Sequence, residues 1–180
     1  MAILPIRLYP DPVLKRRCPE VEGFDAELAE LERSMAETMY AAPGVGLAAP
    51  QVGVEKRLML VDIEGSAEEP RLHTFVNPVI RSAEGTDVDL EGCLSIPGIS
   101  EKVRRPLRLV VDAQNVEGAP FTLEAEGFLA RAICHEIDHL DGILFIDRLT
   151  GLRKERVKRQ LKRMLRERER QGWQATETVS

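Results

Sequence analysis

His135-Glu136-Ile137-Asp138-His139 sets two imidazoles four residues apart with a carboxylate next to the first. At about 3.6 residues per turn, such positions lie about 40° apart around a helix, so both rings can reach one cation. Glu136 projects beside the pair, where it can take a proton from water on the ion, the division of labour of H-E-x-x-H sites. Hydrolysis is therefore the expected reaction class. The flanks support a buried helix over 128–140: Phe128, Leu129, Ala132 and Ile133 precede the motif, Ile137 and Leu140 continue it, and Gly142 stands where a helix-terminating glycine belongs. Ionisable groups on so apolar a helix are costly unless paired or metal-bound.

Outward from this helix, the chain alternates strand-like and helical patterns. Asp25 is an N-cap for a first helix in which Leu28, Leu31, Met35 and Met39 recur until Pro43 and Gly44 stop it. Gly44, Gly46 and Gly53 bracket Leu47-Ala48-Ala49-Pro50-Gln51, which reads as a bend too broken for a regular element. Residues 57–63, 72–80, 107–112 and 121–125 are rich in β-branched and aromatic residues and read as strands, the last two as a hairpin through Asn115 and Gly118. Residues 91–97 fit either a strand or an irregular loop, and 143–146 a short extended run. A final helix at about 152–171 carries Val157, Leu161, Met164 and Leu165 on one face. The expected fold is α+β: a central metal-binding helix packed among mainly antiparallel strands, with N-terminal and C-terminal helices. Residues 1–173 are expected to form a single catalytic domain, and 174–180, small and polar, a flexible tail.

A chain of 180 residues with 43% hydrophobic content can bury a core of this kind. No apolar run approaches a membrane span, and three cysteines without disulfide-like spacing, behind an N-terminus that lacks a signal pattern, suit a cytoplasmic chain with reduced thiols. The net charge of −5 hides an asymmetry: residues 152–171 hold ten Lys or Arg against three Glu, a local +7 that leaves −12 elsewhere.

Catalytic metals usually take three protein ligands and an open position, so one ligand is missing from the helix. His73 lies in an expected strand without a polar neighbour to orient it. No histidine follows His139, and Glu155 reads as a solvated charge beside arginines. Of the three cysteines, Cys134 points about 100° away from His135 around the helix and reads as a small buried residue, and Cys18 sits among Arg16, Arg17 and Pro19.

Three motifs in register resemble the peptide deformylase family: Gly44-Val45-Gly46-Leu47-Ala48-Ala49-Pro50-Gln51, Glu91-Gly92-Cys93-Leu94-Ser95 and His135-Glu136-Ile137-Asp138-His139. The likeness runs from Tyr9-Pro10-Asp11-Pro12-Val13-Leu14 through Leu144-Phe145-Ile146-Asp147. It departs at Cys134, where many members have glutamine, and at Pro50, where many have threonine.

The resemblance implies that Cys93, His135 and His139 bind one divalent metal per chain, Fe²⁺ in the cell. One thiolate with two imidazoles also suits Zn²⁺, Ni²⁺ or Co²⁺. It implies Glu136 as acid–base and Gln51 and the Leu94 N–H as donors to the oxyanion. Gly46 would pair its backbone with the substrate, Arg105 would meet the peptide, and Val45, Phe128, Ala132 and the stem of Arg131 are candidates for the methionine pocket. The implied reaction is hydrolysis of the N-formyl group of formylmethionyl nascent peptides, a formamide rather than a peptide bond. Two other readings compete. An H-E-x-x-H metalloendopeptidase would need a ligand downstream of His139, and a ribosome- or RNA-binding module with a structural metal would draw on the +7 helix but normally needs four protein ligands. DNA is not an expected partner. The basic helix reads either as a solvated, arginine-rich element packed on the body by Val157, Leu161 and Met164 or as a contact for the ribosome.

Overall fold

A computed structural model describes residues 3–172 and the backbone of residues 178–179. The strands are β1 (Ile6–Arg7), β2 (Gly46–Ala48), β3 (Leu58–Val61), β4 (His73–Glu84), β5 (Asp87–Gly92), β6 (Ser100–Arg105), β7 (Arg108–Gln114), β8 (Pro120–Glu126) and β9 (Thr178–Val179). The helices are α1 (Ala26–Ala41), α2 (Gly127–Leu140) and α3 (Gly151–Arg170). Five strands form one sheet in the order β2-β3-β4-β7-β8, β5 and β6 form a separate hairpin, and β1 pairs with β9. Every pairing among the described strands is antiparallel. The expected tail at 174–180 lies outside the described residues apart from the backbone of β9.

Strand alternation sets the layers. Successive side chains of β3 point to opposite faces, so Met59 and Val61 join a core with Phe75, Val111, Ile133, Ile137 and Leu140, while Leu58 and Leu60 join another with Leu28, Met35 and Met39. The sheet is thus covered by α2 on one face and α1 on the other, which is the α+β arrangement expected from the sequence. A third apolar cluster gathers Ile96, Ile99 and Val103 with Leu144, Phe145, Leu149, Val157 and Leu161. It fixes α3 and the β5–β6 hairpin together.

Local chemistry explains the element ends. Asp25 accepts a hydrogen bond from Leu28 N at 3.0 Å and opens α1. β4 slips register between Val76 and Val79 and again between Ile80 and Ser82, the first slip spanning Pro78, which has no N–H to give the ladder. At the end of α2, Gly142 takes φ +72°, its N–H reaches His139 O at 3.1 Å, and Ile143 N reaches Asp138 O at 2.8 Å. This is the Schellman pattern, and it satisfies two carbonyls of the last turn.

Three expectations need correction. Residues 46–48 form strand β2 rather than part of an irregular bend, because β3 supplies their partner. Residues 91–97 divide: Glu91 and Gly92 end β5, and a turn follows. The run at 143–146 is not extended throughout: Phe145–Arg148 is a 3-10 turn, its start held by Leu144 N donating to Asp147 Oδ2 at 2.8 Å.

Candidate active site

His135, Glu136 and His139 face one way from α2, and the turn after β5 brings Cys93 to them. That turn is closed by Ile96 N donating to Cys93 O at 2.9 Å. Cys93 Sγ lies 3.2 Å from His139 Nε2, and one donor atom each from Cys93, His135 and His139 falls within 4.8 Å of the others. Two such ligands sit about 3.6 Å apart around a tetrahedral ion at ordinary metal–sulfur and metal–nitrogen lengths. A thiolate with two imidazoles is also the donor chemistry that first-row divalent ions prefer. The residues therefore fit a metal. The other candidates do not join them: His73 sits tilted against Phe75, and Cys18 and Cys134 are buried with thiols that burial pushes up to about 11.

The histidine orientation has a visible cause. His135 Nδ1 lies 3.0 Å from Glu91 Oε2, which leaves Nε2 for a metal, and Phe145 stacks behind the ring at 6.2 Å. Burial would raise the Glu91 carboxyl, but hydrogen bonds from Arg105 and His135 outweigh it and hold the group at about 2. Burial likewise opposes charge on His135, yet contacts with Cys93 and Glu91 outweigh it and raise this imidazole, whereas burial and the His135 charge lower His139.

Glu136 is 4% exposed, and its Oε2 has no hydrogen-bond partner among the described residues. Burial pushes its carboxyl up to about 7, against the pull of the His135 charge. Such a group is suited to both taking and returning a proton near neutrality. Gly46 lies against it: a Cβ on Gly46 would overlap Glu136 Oε1.

Gln51 is anchored from both ends. Its Oε1 accepts from Ala48 N at 2.9 Å, while Nε2 reaches Ser95 Oγ at 3.2 Å and approaches Cys93 Sγ at 3.6 Å. Half of the side chain serves its own turn, and the other half faces the metal ligands. Pro50 is tolerated because it stands in the first turn of the 3-10 segment Ala49–Val52, where a missing N–H costs nothing. The Leu94 N–H makes no backbone hydrogen bond among the described residues.

A cleft of roughly 380 Å³ opens over these groups, and Val45, Gly46, Gln51, Cys93, Leu94, Phe128, Arg131, Ala132, His135 and Glu136 all line it. Arg105 does not. It is buried with its guanidinium on Glu91 (Nε 2.7 Å, Nη2 2.9 Å) and Asp138 (Nη1 2.6 Å), so its position corrects the expectation that it meets the peptide. Sequence reasoning gave no role to Glu91, Asp138 or Ser95. Asp138 accepts from Arg105 and, at 3.0 and 2.5 Å, from Arg148. The available signal was a pair of acids inside two motifs, each adjoining or nearly adjoining a metal-ligand candidate.

The sequence model of the family described as polypeptide deformylase matches residues 3–155. A peptide deformylase of Caldicellulosiruptor bescii is 53% identical over 150 residues, 83% of this chain and 87% of that protein. The crystal structure of a peptide deformylase from Legionella pneumophila superposes with a TM-score of 0.85 at 42% identity, over 93% of this chain and 98% of the other. One from Thermus thermophilus gives 0.84 at 44% identity, over 91% and 96%. With three motifs converging on one cleft and likeness over nearly the full length, the chain belongs to the polypeptide deformylase family.

Proposed function

We propose that the deformylase activity of this chain is carried by Glu136 acting beside a metal held by Cys93, His135 and His139. The activity follows from family membership: the chain is a metal-dependent hydrolase that releases formate from N-formylmethionyl peptides. The observation that carries the residue assignment is the meeting of a thiol, two imidazoles and a buried, partly unpaired carboxylate in one cleft.

When bound, the cation supplies Lewis acidity toward water and the formyl carbonyl. Glu136 accepts the proton of the attacking water and delivers it to the departing amine, so the formamide C–N bond breaks with formate and a free amino terminus as products. Gln51 Nε2 and the Leu94 N–H donate to the carbonyl oxygen as it gains charge. Gly46 offers its backbone to the peptide, and Val45, Phe128, Ala132 and the stem of Arg131 surround the first side chain. A metalloendopeptidase reading lacks support, since no ligand downstream of His139 joins the donor group among the described residues.

The resident ion we infer is Fe²⁺, on the family resemblance alone, because one thiolate with two imidazoles suits Fe²⁺, Co²⁺, Ni²⁺ and Zn²⁺ alike. We also infer that residues 1–173 act as one catalytic unit, supported by the packing of Val157 and Leu161 of α3 into the same core cluster as Val103 and Phe145. Among the described residues no helix is long and apolar enough to cross a membrane. From the formylated nascent chains that the family acts on and the basic face of α3, we infer a cytoplasmic enzyme that meets its substrate at the ribosome. Glu136→Ala tests the acid–base assignment. The variant should keep its metal while formate release falls by about 10²-fold or more. Retention of most activity at full metal content would refute the role of Glu136.

A further inference from the structure

Behind α2, the polar contacts are denser than orienting one histidine requires. Arg131 lies one turn before His135 and is 2% exposed. Its Nη1 donates to Glu91 Oε1 (2.9 Å), Val103 O (2.9 Å) and Asp89 O (3.2 Å), and its Nη2 to Asp87 Oδ2 (2.7 Å). These acceptors belong to both strands of the β5–β6 hairpin. The same residue lines the cleft, and with its guanidinium sealed in the hairpin, the part left to face the cleft is the aliphatic stem.

We propose that Arg131 is a positioning residue that couples the wall of the substrate cleft to His135 through the shared carboxylate of Glu91. The coupling rests on the metal-site reading above and extends it. Glu91 is held from every side: Oε1 accepts from Arg105 Nε and Arg131 Nη1, while Oε2 accepts from Arg105 Nη2 and contacts His135 Nδ1. Arg105 reaches in from β6 and fixes the plane of the carboxylate with a bidentate contact. Arg131 comes from α2 itself, four residues before His135, and ties the same carboxylate to the helix that carries the ring.

Movement of the Arg131 stem by a side chain in the cleft is therefore passed to the partner that sets the His135 tautomer and angle. By linkage, an ion on His135 must favour the same cleft shape to the same extent. Selectivity for the first side chain and retention of the metal become linked properties of one arginine. Asp87 is the outer anchor of the system, its side chain 35% exposed against 3% for Arg131.

The test uses the full chain loaded with Co²⁺, whose thiolate charge-transfer and d–d bands report the ligand geometry. Wild type, Arg131→Met, Arg131→Lys and Asp87→Asn would be compared for cobalt release to excess chelator and for the d–d spectrum. Their kcat and KM would be measured on formylated peptides beginning with methionine or alanine. Arg131→Met keeps a stem without the charge. It should release cobalt about 10-fold faster, shift the d–d bands and lose discrimination between the two peptides, mainly through KM. Arg131→Lys should recover part of each effect, and Asp87→Asn should move all three readouts in the same direction by less.

Release within about twofold of wild type in Arg131→Met, with an unshifted spectrum, would overturn the coupling. If that variant fails to fold, unchanged release and discrimination in Asp87→Asn would overturn it instead. A wild-type chain that binds cobalt without a thiolate band would sink the metal-site reading, and the coupling with it.

Discussion

Gly46 has no side chain because Glu136 occupies the space where one would stand. A methyl group there must displace either the carboxylate or strand β2, and β2 is pinned by its pairing with β3. Gly46→Ala should therefore lose about 10-fold or more in kcat/KM while binding its metal normally, a split that kinetics and metal analysis together would reveal. Wild-type kinetics would mean that Glu136 has room to rotate. At this scale the sequence was most readable where geometry is local. His135, Glu136 and His139 converge because one helix carries them, and their spacing says so. The convergence of Cys93 depends on how β5 meets α2, and nothing near residue 93 encodes that meeting. Glu91 and Asp138 were hidden for a related reason: a buried acid is recognisable only once Arg105, Arg131 and Arg148 are seen to pair with it.

Among the elements, α2 was legible to within a residue, since apolar periodicity marks its body and Gly142 its end without tertiary help. Gly142 holds φ +72°, and a Cβ would also meet the backbone carbonyl of Lys15 at 2.6 Å. Gly142→Ala should cost about 1 kcal/mol or more of stability, read as a lower denaturant midpoint at unchanged slope. An unchanged midpoint would show that this cap does not hold the helix end. The β5–β6 hairpin was missed because its pattern runs against the rule. The inward residues of β6 are Glu101, Val103 and Arg105, its outward ones Ser100, Lys102 and Arg104. Charge on both faces erases the apolar–polar alternation by which strands are recognised. β2 was missed because Gly46, Leu47 and Ala48 are all buried and three residues are too few to show a period.

For the whole molecule, the succession of α1, β3, β4, β7, β8, α2 and α3 could be read, but the order of strands within the sheet could not. The β5–β6 hairpin interrupts the path from β4 to β7, yet β4 and β7 are neighbours in the sheet, a long-range choice that no local window contains. The basic α3 was legible as an amphipathic helix: Val157 and Leu161 are buried, and Lys154, Arg159, Lys162, Arg163 and Arg166 are exposed. Charges displayed in this way suit a phosphate-rich partner, and the proposed meeting with the ribosome rests on them. Cosedimentation with ribosomes should weaken about 10-fold or more between low and physiological salt, and charge reversal at Arg159, Lys162, Arg163 and Arg166 should abolish it without changing turnover of a short formylated peptide. Salt-independent association, or none by the wild type, would remove the docking role and leave the chemistry untouched.

The proposed chemistry depends on one sulfur and two ring nitrogens sharing an ion. X-ray absorption at the metal edge of the zinc-loaded chain addresses that sharing directly. One sulfur at about 2.3 Å and two imidazole nitrogens at about 2.0–2.1 Å are expected, with the sulfur shell lost in Cys93→Ala. A spectrum without sulfur, or one that Cys93→Ala leaves unchanged, would contradict the assigned centre.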